Sequence, residues 1–194
     1  MLRITLNSLL LFFLCSVTTV EANKDPSKKA QKFESVDWVD LLPKSDYDAL
    51  SKPPSYITDI EDGSAADRIG GKLNNKRAAP KDDPYQQALV STKVVKKFNG
   101  KAVKIPGFVV PLEFDDELSI TEFFLVPWYG ACLHLPPPPP NQIIFVRAKQ
   151  GIKVDALIDP FWISGILQTQ LKENELAISA YSMTMHSHEI YKEK

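Results

Sequence analysis

The sequence predicts a mainly β protein, a small barrel or sandwich preceded by an irregular, partly helical N-terminal arm. Three observations carry that expectation. From Gln86 onward, short β-branched and aromatic runs alternate with turn signals and leave little room for helices. Fifteen prolines stand against eight glycines, which favours stiff, extended connections. Between Ser51 and Pro84, neither a helical nor a strand period is sustained.

The elements follow in chain order. Residues 1–22 read as an export signal cleaved after Ala22. Arg3 supplies the positive start, Leu9 to Leu14 and on to Val17 the apolar run, and Val20-Glu21-Ala22 the small-x-small site. The run is shorter than the roughly 20 apolar residues a bilayer requires. Cys15 follows Leu14 and Phe13, which is not the context of a lipidated cysteine. The expectation is a soluble periplasmic protein with no integral membrane segment after cleavage.

Residues 23–85 are expected to form a flexible leader and N-terminal arm, and residues 86–194 a β domain. Within the arm, Ser35 or Asp37 caps a short helical turn that carries Trp38, Leu41 and Leu42 and stops at Pro43. A second turn spans Lys44 to Leu50, and the stretch from Ser51 to Pro84 either wraps the domain or is disordered. Gln86 to Val95 reads as a short helix or the approach to a strand. Asn99-Gly100 marks a tight turn. Strands follow at Ala102–Phe114, Ile120–Val126, Gln142–Ala148, Phe161–Thr169 and Leu176–Met185. Pro106 implies an edge, a bulge or a sharp bend in the first, because it cannot donate to a ladder. Gly165 implies a bulge or barrel bend. Gln150-Gly151 and Lys172-Glu173-Asn174 read as turns.

With a net charge of −1 and no basic stripe, the chain offers nucleic acid little electrostatic attraction. Loss of Cys15 with the signal leaves Cys132 as the one thiol, so no internal disulfide is available.

The run Trp128-Tyr129-Gly130-Ala131-Cys132-Leu133-His134-Leu135, then five prolines, then Asn141-Gln142, resembles a family of exported bacterial proteins known only as a domain of unknown function. Gly100–Glu113 and Trp38–Pro43 resemble two further segments of that family. The resemblance implies an OB-like antiparallel barrel and a periplasmic setting. In some relatives it also implies proximity to metal-linked envelope transporters.

Three chemistries are open. Cys132 with His134, and His186 with His188, are pairs two residues apart, which places each pair on one side of an extended backbone. Brought together, they would make a tetrahedral Cys-His₃ site suited to Zn. If pairing is regular, Met183 and Met185 fall on the opposite face of the last strand and would serve only a soft ion such as Cu(I), after a twist or at a frayed end. The plainer alternative makes Cys132 a small buried hydrophobe and the methionines core residues. Second, His134 could activate Cys132 as a nucleophile, with Asn141 orienting and the Gly130 and Ala131 amides stabilising an oxyanion. Third, Trp128, Tyr129, Leu133, Leu135, Pro138, Asn141 and Gln142 could form a docking surface for a periplasmic protein or an envelope transporter component. The expectation drawn from these is a binding or accessory protein rather than an enzyme.

Overall fold

The computed structural model describes residues 31–58, 83–131, 137–153 and 157–192; the expected signal segment lies outside them. The strands are β1 (Glu34–Ser35), β2 (Lys101–Phe114), β3 (Ile120–Val126), β4 (Ile144–Ile152), β5 (Phe161–Gln168), β6 (Lys172–Glu173), β7 (Ile178–Ser179) and β8 (Tyr181–Ile190). Short helices α1 (Lys44–Leu50), α2 (Ser55–Thr58) and α3 (Pro84–Leu89) belong to the arm and its junction with the domain.

The sheet closes on itself in the order β2-β3-β4-β8-β5 and back to β2, an OB-like barrel. Four of its seams are antiparallel; β4 and β8 run parallel. An odd ring cannot alternate direction all the way round, so one parallel seam is a geometric necessity.

Closure depends on β2 serving two partners. Residues 101–107 pair with β5, and residues 108–114 pair with β3. The change falls between Gly107 and Phe108. A β-carbon on Gly107 would stand 2.8 Å from the Val126 carbonyl and 2.9 Å from the Leu125 side chain, so only glycine lets β3 approach there. Gly165 plays the same part where β5 crosses β8, its would-be β-carbon 2.4 Å from the Thr184 carbonyl, beside a bulge at Ser164/Gly165.

Alternation along the strands fills the barrel. Val103, Ile105 and Val109 from β2 meet Phe123 and Leu125, Ile144 and Val146, Ile163 and Leu167, and Tyr181 and Met183. Burial of each large aliphatic side chain contributes about 1.5–3 kcal/mol. Three strands run differently from the sequence expectation. β4 continues through Gln150-Gly151 to pair Ile152 with Ile120, instead of turning there. Lys172-Glu173 is a short strand paired with Ile178-Ser179, and the last barrel strand starts only at Tyr181 and extends to Ile190.

The arm seals one barrel end. β1 adds parallel to β2 at Val103-Lys104, and Val36 donates its amide to the Lys104 carbonyl at 3.0 Å. A 3-10 turn follows at Trp38–Leu41, its Asp40 carboxylate accepting from the Asp37 amide. It inserts Leu41 fully into the core and lets the Trp38 indole donate to the Pro106 carbonyl at 2.6 Å. The Tyr181 hydroxyl donates to the Leu41 carbonyl at 2.9 Å and accepts from the Val95 amide at 2.7 Å. Among the described residues, no helix is long and apolar enough to cross a membrane.

Candidate functional site

β3 is buried on both faces, which simple alternation would not produce. Phe123 and Leu125 point into the barrel; Phe124 and Val126 point outward into a second apolar cluster with Ala131, Ile143 and Ala177. Half-buried Phe108, Val110 and Leu112 from β2, Phe145 from β4 and Leu176 complete it. The roof is the β6–β7 hairpin. Its turn is fixed by Asn174, whose side-chain oxygen accepts from the Leu176 and Ala177 amides at 2.9 and 3.0 Å, while the Asn174 amide donates to the Ala177 carbonyl at 3.1 Å. That arrangement sets Leu176 and Ala177 over β3.

The roof stops short of covering the wall. Between hairpin and strands lies a cleft of about 420 Å³, within the size range of ligand sites. Its floor is Leu112, Phe124, Phe145 and Leu176, the two phenyl rings meeting edge to face at 6.2 Å. Its polar border holds four carboxylates, Glu113, Glu122, Glu173 and Glu175, against two cations, Arg147 and Lys172. Arg147 is already matched. It sits directly across from Glu122, donates to it at 2.8 Å through both Nε and Nη2, and lies 5.8 Å above the Phe145 ring. The cleft is therefore apolar at its base and acidic at its rim.

Trp128 and Tyr129 are 42% and 58% exposed, and Tyr129 packs on Phe108 with ring centroids 6.0 Å apart. Tyr129 thereby extends the apolar wall. Cys132, Leu133, His134 and Leu135 lie outside the described residues.

Pro138, Asn141 and Gln142 are buried, which corrects their expected place on a docking surface. Asn141 is fully enclosed. Its amide donates to Asp46 Oδ2 at 2.9 Å and to the Lys93 carbonyl at 3.1 Å. Gln142 donates to the Trp38 carbonyl at 2.8 Å. The 3-10 turn Pro140–Gln142 thus locks the arm to the barrel, and Asn141 is already engaged where a thiol enzyme would need it as orienter. Asp46, itself buried, also receives Ser45 Oγ at 3.0 Å and faces Lys93 Nζ at 3.6 Å.

His186 and His188 lie on exposed β8, but not in regular alternation. Ser187 pairs with Ser164 and Met185 with Gly165, leaving His186 as the extra residue of a bulge. Met183 is buried in the core, and Met185, packed against that same core, also borders a cleft with both histidines. The expectation that both methionines oppose the histidines applies to regular pairing, and the bulge after Met185 ends it at His188, which pairs with the core residue Ile163. Among the described residues, no three of His, Cys, Asp and Glu converge as a metal centre.

Phe124, Phe145, Leu176 and the rim carboxylates escaped the sequence reading. The signal was present in Phe123-Phe124-Leu125-Val126 and Ile143-Ile144-Phe145-Val146, unbroken apolar runs that a strand with one solvated face would not carry.

Fold and cleft together define a small closed β-barrel with a ligand-sized face on its outer wall. The model of the family described as "Protein of unknown function (DUF3299)" matches residues 38–190, and the chain belongs to that family. It is also similar to the crystal structure of a DUF3299 family protein from Pseudomonas aeruginosa PAO1, at 29% identity and a TM-score of 0.59, over 84% of this chain and 99% of that one. No curated protein matches the chain.

Proposed function

We propose that the protein is an exported, non-enzymatic binding or accessory protein of the periplasm that holds an extended polypeptide segment on the outer face of β2, β3 and β4. The single observation behind this reading is the cleft with a phenylalanine floor and an acidic rim. Aromatic floors supply contact area at little entropic cost, and charge complementarity selects the ligand. Carboxylates outnumbering cations at the rim repel phosphates and nucleic acid, and they favour a segment that alternates lysine or arginine with aliphatic residues. An exposed segment of an envelope transporter component is a partner of that chemistry. The export part of the reading rests on residues 1–22.

Fluorescence anisotropy with a labelled, extended peptide of alternating lysine and leucine tests it. Saturable binding is expected, weakened about tenfold or more by Glu173→Lys with Glu175→Lys, since each lost charge contact in such a rim carries about 1 kcal/mol. Equal binding of the double variant, or equal binding of a glutamate-leucine peptide, would remove the proposal.

A further inference from the structure

A second cleft lies where two barrel strands part. β4 and β8 pair only as far as Arg147 and Thr184. Beyond that, β4 curls to bring Ile152 to Ile120, while β8 stays with β5 through its bulge. The gap, about 460 Å³, is bordered by Lys149, Gln150 and Gly151 on one side and by Met185, His186, Ser187 and His188 on the other.

Three features distinguish these side chains from ordinary surface residues. The bulge places His188 on the face that Met185 already occupies, and His186, its extra residue, borders the same cleft. Each imidazole rests on an aromatic ring, His186 on Phe33 at 5.2 Å and His188 on Phe161 at 6.2 Å between centroids, which restricts its orientation. Neither imidazole makes a hydrogen bond or ion pair with another described residue, so their nitrogens are open to a ligand.

We propose that Met185, His186 and His188 form a site for a soft monovalent cation, Cu(I), through two imidazole nitrogens and one thioether sulfur. Thioether and imidazole donors suit Cu(I), which accepts low coordination numbers. The surroundings point the same way. No carboxylate borders the cleft and Lys149 does, so Mg²⁺ and Ca²⁺ find no oxygen cage and a divalent charge is repelled more than a single one. Glu189, next in sequence, is turned to Lys104 in an ion pair.

The experiment uses the purified full chain with Cys15 and Cys132 both replaced by serine, so that no thiol competes. Under reducing, anaerobic conditions, Cu(I) is titrated against a chromophoric Cu(I) chelator. One equivalent should be withdrawn from the chelator. His188→Ala and Met185→Leu should each weaken uptake about tenfold or more, while thermal melts remain unchanged. Copper-edge X-ray absorption should show sulfur among the ligands, lost in Met185→Leu. No uptake by the thiol-free protein, uptake indifferent to both substitutions, or a copper shell without sulfur would each overturn the site.

Discussion

Replacing Asn141 by alanine should cost the protein about 3 kcal/mol, although the residue touches no ligand face. The Asn141 amide is fully buried and makes two hydrogen bonds, at 2.9 Å to Asp46 Oδ2 and at 3.1 Å to the Lys93 carbonyl. A bond to a charged acceptor contributes about 1.5–3 kcal/mol and a neutral one about 1 kcal/mol. The loss leaves Asp46, only 3% exposed, with Ser45 and the distant ammonium of Lys93, which is itself largely solvated. One term acts in the opposite direction. Asn141 Oδ1 has no partner among the described residues, so its removal returns roughly 1 kcal/mol. Urea unfolding followed by tryptophan fluorescence measures the sum, with Trp38 reporting from the arm. A double-mutant cycle with Asp46→Ala should give a coupling of about 1–2 kcal/mol. A loss below about 0.5 kcal/mol, or strict additivity with Asp46→Ala, would refute the lock between arm and barrel.

Other perturbations test the same frame. Tyr181→Phe removes one bond to the Leu41 carbonyl and one from the Val95 amide, and should lower stability by about 2 kcal/mol in the same unfolding assay. Burial pushes the Tyr181 phenol from 10.0 up to about 12, opposed by the Val95 amide. The unfolded chain then sheds this proton near pH 10 while the folded chain keeps it, so stability should fall as pH rises from 10 toward 12. The Tyr181→Phe variant should show a shallower fall over that window. Gly165→Ala forces a β-carbon to 2.4 Å from the Thr184 carbonyl and 2.7 Å from Met183 Cγ, and should cost about 3 kcal/mol by thermal or urea unfolding.

The fold was legible because its punctuation is local. Asn99-Gly100, Pro106-Gly107 and Gly165 each mark a place where the backbone turns, bends or bulges, and the structure uses all three. The parallel seam was not legible, since it follows from ring closure and not from the residues of β4 or β8. Asn141 and Gln142 illustrate the harder limit. A polar pair after a proline tract reads as surface, yet both are buried because their partners, Asp46 and the Trp38 carbonyl, lie about a hundred residues away in the chain. The cleft was missed for a related reason: Phe124 and Phe145 read as core, and only the hairpin from Lys172 to Ser179 shows that they floor an external wall. The histidine pair was visible as a pair, but the bulge that turns His188 to the face of Met185 was not.

The central claim is that function resides on the outer face of β2, β3 and β4. The most direct measurement is a titration of the ¹⁵N-labelled protein with the lysine-leucine peptide, read by amide chemical shifts. The account predicts shifts confined to Leu112, Glu113, Glu122 to Phe124, Phe145 to Arg147 and Lys172 to Leu176, abolished in Glu173→Lys with Glu175→Lys. Shifts centred on the arm or on the far side of the barrel, or a response that survives the charge reversal, would contradict it.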